Sequence, residues 1–286
     1  RKVADYKERV PAEWVEHGGV LIPMYQREAL WISFHARHWK PNAAKIAIGK
    51  VNAISGEVWH QELRKDEKDY VVCPPQPWLD GINAGEDMIR QFVAMPLGMG
   101  YTVEAQVTGK EEFGGIQIIV YEPKPGKFPD QPPKPILNDQ VLYSMAMPAA
   151  PAQARGGAEM GLAAGGKMRQ KIYPDPHGIE TWDAENYGRV YVHIVNSMMY
   201  RQITGQEPPA TPVTAKTYAD YKLPWFDLYD DHLGDVAAPD ALKGVKSIKE
   251  MDAEKGFTAQ QDDSSADVGY VVKYKVDANQ VEDGRW

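Results

Sequence analysis

Between residues 18 and 122 short apolar runs recur at regular spacing, each rich in β-branched and aromatic side chains and each closed by a turn signal. The runs cover 19–24, 29–36, 44–53, 70–73, 90–95, 101–108 and 115–121. The breakers between them include Ser55 with Gly56, the prolines Pro74, Pro75 and Pro77, and Gly98 with Gly100. In 101–108 the alternation puts Tyr101, Val103, Ala105 and Val107 on one side, as a half-buried strand requires. About seven short strands spaced in this way predict a β-sandwich or barrel.

The pattern then changes. Residues 123–135 carry six prolines, an extended surface connection, and 143–166 are rich in Ala, Gly, Met and Pro with few charges. The second stretch is too apolar for a solvated linker, so it is expected to lie against a surface, of a neighbouring subunit or of its own β domain. The last third reads α+β. A strand is predicted at 189–195, followed by a helix capped by Asn196 and stopped at Gly205. A short helix is expected at 215–222 and a helical turn at 239–243, closed by Gly244, with closing strands at 245–249 and 269–276. The fold class expected is therefore mainly β: an N-terminal sandwich or barrel over 1–122, a connecting segment over 123–172, and a smaller α+β region over 173–286.

Composition narrows the function classes. Hydrophobic content of 43%, charged content of 25% and a formal charge of -8 describe a folded soluble chain that is a poor nucleic-acid binder. Eighteen consecutive apolar residues occur nowhere, so no membrane-spanning helix is expected. Cys73 is the only cysteine, which rules out an intrachain disulfide and a cysteine zinc site and fits the cytoplasm without excluding secretion. Its apolar flanks predict a buried strand end and an inert thiol.

Gly161, Gly166 and Lys167 fit the P-loop spacing, but Met168 stands where a hydroxyl should hold Mg²⁺, and the proline- and alanine-rich approach from 147 is no buried strand. Nucleotide binding is not expected. His35 and His38, three apart on a strand, point to opposite faces and do not share a metal there. Asp175, His177, Glu180 and Asp183 form a denser polar group, and Asp227, Asp230, Asp231, His232 and Asp235 a second one. If a divalent cation is bound, Asp175, His177, Asp227, Asp231 and His232 are its expected ligands, carboxylates serving a hard cation and imidazoles a borderline metal. No other cofactor is expected. Trp78 and Asp80 lie among turn-forming residues. Trp78 either stacks on a sugar or flat ligand, with Asp80 accepting its hydroxyl hydrogen bonds, or plugs the end of the β domain.

Four stretches, 76–82, 90–108, 161–182 and 223–227, together resemble an uncharacterised group of microbial proteins. The likeness covers most of the chain. It implies one unit of fixed length and carries no activity or functional residue with it. The leading functional expectation is a non-enzymatic binding or self-assembly protein. The alternatives are a metal-dependent hydrolase built on the two acidic groups and a carbohydrate-binding module built on Trp78 and Asp80.

Overall fold

The computed structural model describes residues 1–64, 68–133, 159–209, 225–228, 234–257 and 271–274. It is mainly β. The strands are β1 (Val20–Pro23), β2 (Ala29–Leu30), β3 (Ile32–Ser33), β4 (Asn42–Ile48), β5 (Val51–Asn52), β6 (Val71–Cys73), β7 (Trp78–Leu79), β8 (Gly81–Gly85), β9 (Met88–Pro96), β10 (Ile116–Pro123), β11 (Glu159–Arg169), β12 (Trp182–Val195), β13 (Trp225–Leu228) and β14 (Val271–Tyr274). Ten of them form one sheet whose main path is β2-β9-β11-β12-β10-β4-β5, with β1 on β12, β6 on β4 and β8 on β9. Within it only β1 with β12 runs parallel. β3 with β7 and β13 with β14 make separate pairs. The large sheet draws on all three stretches delimited above, since β11 lies within 123–172 and β12 within 173–286.

Alternation along β4, β10 and β12 decides what each face buries. One face carries Ala44, Ile46, Ile48, Ile116, Ile118, Val192 and Ile194, and these share a single apolar cluster with Ile82, Ile89 and Phe92 from β8 and β9 and with Met160, Leu162 and Ala164 from β11. Strands from both ends of the path thus bury side chains in one core, so the sheet curls round it. The opposite face carries Lys45, Ile119, Tyr121, Tyr187, Arg189 and Tyr191. It is covered in part by residues 59–63 and Tyr70, where Tyr70, Val72, Tyr121 and Trp182 pack with Trp59 and Leu63.

Two predicted strands are helices. Residues 103–108 form α2 (Val103–Thr108, following α1 at Ala12–His17), because the Thr102 side chain accepts a hydrogen bond from the Ala105 N–H and Gly109 closes the turn at φ 76°. The apparent alternation of Val103, Ala105 and Val107 loses to these two caps. Residues 245–249 instead lead into α5 (Ile248–Glu254), opened by a capping box in which Ser247 and Glu250 each hold the other's backbone N–H. The strand at 189–195, the Asn196-capped helix α3 (Ser197–Thr204) and the turn α4 (Asp240–Lys243) agree with the sequence reading.

The segment at 143–166 has a different role from a subunit arm over its described part: from Glu159 it is β11, hydrogen-bonded between β9 and β12 of its own sheet. Residues 143–158 and the helix expected at 215–222 lie outside the described residues.

Candidate functional site

The pair β3–β7 aligns Ile32 with Leu79 and Ser33 with Trp78. Leu79 is buried and Ile32 packs against the main core. The pleat therefore turns Ser33 and Trp78 to the outside, with Trp31 just before β3 and Asp80, whose Oδ1 is buried, just after β7. Trp31 is 73% exposed, while Trp78 is half-buried. An indole so open is unusual on the surface of a folded chain.

The platform is held from behind. Gln76, itself buried, donates from Nε2 to the Trp78 carbonyl at 2.9 Å and to the Lys171 carbonyl at 3.1 Å, and its Oε1 accepts from the Tyr173 N–H at 2.9 Å. The Asp80 N–H donates to Gln170 Oε1 at 3.0 Å, and the Asp80 carbonyl accepts from the Phe92 N–H at 2.8 Å. Asp80 Oδ1 and Gln170 Nε2, an acceptor and a donor on neighbouring residues, are buried and make no hydrogen bond. Burial pushes the Asp80 carboxyl up to about 6, against the polar groups of Gln170 and Trp78, which favour its charged form.

Of the expected metal ligands, Asp175 and His177 are the two whose side chains fall among the described residues. Asp175 Oδ2 accepts from the Tyr70 hydroxyl at 2.7 Å and from Trp182 Nε1 at 2.8 Å, while Oδ1 accepts from the His177 N–H at 2.7 Å. These donors make Asp175 a hub that ties the loop to the aromatic cluster. The His177 ring lies edge-on to Phe128 and Trp182, at 5.0 Å and 6.0 Å between centroids. Asp235 clamps backbone, accepting from the Asp87 N–H and the Ile172 N–H, both at 2.9 Å. Asp227 lies on β13 at the register of Lys273. Asp231 and His232 fall outside the described residues. Among the described residues no three His, Cys, Asp or Glu side chains are placed to hold a metal ion. Cys73 is buried on β6, and burial raises its thiol pKa, so it stays protonated.

The P-loop spacing at Gly161–Lys167 proves to lie inside β11. The strand is not missing before the glycines; the glycines are in the strand, where Gly161 and Lys167 pair with β9 and Gly165 with Gly166 form an irregularity between them. A phosphate cradle needs those N–H groups free.

One buried charged group was absent from the sequence reading. Lys45 and Asp69 both have 0% side-chain exposure, with Nζ 2.6 Å from Asp69 Oδ2. Nζ also donates to the Glu62 carbonyl at 2.6 Å and reaches His60 Nδ1 at 3.1 Å. An ammonium only donates, so His60 Nδ1 accepts and Nε2 carries the proton, facing Asp69 Oδ2 at 3.5 Å and Glu57 Oε2 at 3.6 Å. Burial lowers the Lys45 pKa more than Asp69 raises it. Three acceptors meet its three protons. The group fastens residues 60–62 and Asp69 onto the sheet, and Lys45 has no proton left for a substrate, while His60 Nε2 is buried without a hydrogen bond. The readable signal was a lysine inside the apolar run 43–48.

Compared with known families, characterised proteins and solved structures, the chain matches none. The fold and its chemistry define a β protein with a rigidly supported aromatic and carboxylate face.

Proposed function

We propose that this is a non-enzymatic binding protein whose face of Trp31, Ser33, Trp78 and Asp80 takes a hydroxyl-rich ring, the chemistry of a glycan. The observation that carries the reading is Trp31, 73% exposed and immediately before the strand that pairs with Trp78. A sugar ring presents C–H groups to an indole and hydroxyls to polar groups at its edge, and Ser33 and Asp80 supply such an edge. The support behind Trp78 and Asp80 means little order has to be imposed on binding. Neither a metal nor a cofactor enters this reading.

The test is titration of the protein with a panel of neutral oligosaccharides, followed by tryptophan fluorescence and calorimetry. At least one class is expected to bind, Trp31→Ala to weaken it about tenfold or more, and Asp80→Asn to weaken it most above pH 6, where the carboxylate accepts best. If no oligosaccharide perturbs the tryptophans, or if Trp31→Ala keeps full affinity, the proposal is wrong.

A further inference from the structure

Between Glu28 and Glu57 the chain carries no acidic residue, although 40 of its 286 residues are Asp or Glu. The stretch includes β3 and the turn that follows it, and its cations are Arg37, Lys40, Lys45 and Lys50. Lys45 pairs with Asp69, Lys40 pairs with Asp130 at 2.9 Å, and Lys50 Nζ lies 3.7 Å from the centroid of the Phe113 ring. Arg37 is exposed and, among the described residues, has no carboxylate partner. Its guanidinium lies 5.9 Å from the centroid of the Trp39 ring, which the His38 ring meets edge-on at 4.9 Å. The Lys40 N–H donates to the Arg37 carbonyl at 3.1 Å and closes the turn. The turn is thus ordered by its own contacts and holds Arg37 at the surface.

This turn continues from one end of the β3–β7 ribbon. The Phe34 N–H donates to the Pro77 carbonyl at 2.9 Å, one step beyond the Ser33–Trp78 pair. His35 Nε2 then lies 3.3 Å from Ser33 Oγ. Four residues lead from Ser33 to Arg37, at most about 14 Å of extended chain. Asp80 follows β7 at the opposite end of the ribbon, past the Ile32–Leu79 pair. The ribbon is therefore polarised, with a carboxyl group at one end, a guanidinium beyond the other and Trp78 between them. A guanidinium is a permanent cation whose planar fork of donors matches the oxygens of a carboxylate or a sulfate. A neutral ligand along the ribbon leaves that fork with water; a ligand with an anionic group at the turn gives it a charged partner.

We propose that the glycan taken at the face of Trp31 and Trp78 is an acidic one, its carboxylate or sulfate met by Arg37, with His35 and His38 as further hydrogen-bonding groups. The inference rests on the glycan reading and adds the charge of the ligand to it.

The test is calorimetric titration with matched tetrasaccharides, a neutral hexose form, the corresponding uronate and a sulfated form, on the wild type, Arg37→Gln and Trp31→Ala. The wild type is expected to bind the uronate or the sulfated form about tenfold or more tighter than the neutral one, and the advantage should shrink as salt is raised. Arg37→Gln should remove the advantage, so that acidic and neutral tetrasaccharides bind alike. Trp31→Ala should weaken all of them. A wild type that binds acidic and neutral forms equally overturns this inference and leaves the glycan reading standing. Binding of no saccharide overturns both. An acidic preference that survives Arg37→Gln overturns the assignment of the anion to Arg37.

Discussion

Asp80 is a carboxyl group held where ionisation is costly. Its pKa is 3.8 in a free chain and about 6 in the fold, with burial as the main cause. The folded protein therefore holds this proton more tightly than the unfolded chain does. The stabilisation that follows is complete below about pH 4 and is lost as pH rises to 6. At neutral pH Asp80 costs stability. Asp80→Asn is expected to raise the unfolding free energy at pH 7 by on the order of 1–2 kcal/mol, allowing for solvent screening at a partly exposed group, and to change it little at pH 4. Urea midpoints of both proteins at the two pH values check this, and an equal difference at both would refute it. Lys45 and Asp69 differ in being paired, although burial disfavours the Lys45 charge as well. They are fully buried and fully paired, so their ionised state is satisfied inside the protein and offers nothing outward.

At the scale of elements, local chemistry and tertiary pairing divide the chain. β1, β4, β6, β9, β10, the second half of β12 and α3 were legible, because their apolar periodicity and turn or cap residues point the same way. Tyr101, Val103, Ala105 and Val107 satisfied a period of two, yet the caps at Thr102 and Gly109 made the segment a helix. Ser247 and Glu250 were a readable capping box, outweighed by β-branched residues at 245 and 248. Ser247→Ala removes the acceptor for the Glu250 N–H and is expected to cost about 1 kcal/mol, measured by urea denaturation, with Glu250→Gln costing less because an amide can still reach back to the Ser247 N–H. Equal losses from the two substitutions would count against the capping box. The candidate site was half legible. Trp78 and Asp80 are neighbours in sequence, but Trp31 joins them only through the β3–β7 register, which no local pattern announces. The Lys45, His60 and Asp69 group needed the same kind of long-range pairing.

For the whole molecule the decisive strand is the one whose composition concealed it. β11 lies between β9 and β12 and joins the two sides of the sheet, although it reads Glu-Met-Gly-Leu-Ala-Ala-Gly-Gly-Lys-Met-Arg. Its small residues admit close neighbours: a Cβ at Gly161 would sit 2.7 Å from Leu97 Cδ2, and one at Gly165 would sit 2.6 Å from Val93 Cγ2. Glycine and alanine are packing choices here, where in the sequence they resemble a connector. Leu162 is the larger side chain that β11 adds to the main core, and it is buried there with Ile82, Ile89 and Phe92. Leu162→Ala is expected to lower the unfolding free energy by about 2–4 kcal/mol through lost burial and the cavity left behind. Because β11 links both sides, the loss should appear in one cooperative transition, with tryptophan fluorescence and far-ultraviolet circular dichroism giving the same shifted midpoint. A strand laid on the outside of a finished domain would behave differently. Its weakening would produce an early, partial change in one signal while the rest of the sheet melted at the wild-type midpoint, and that separation would refute the central placement of β11.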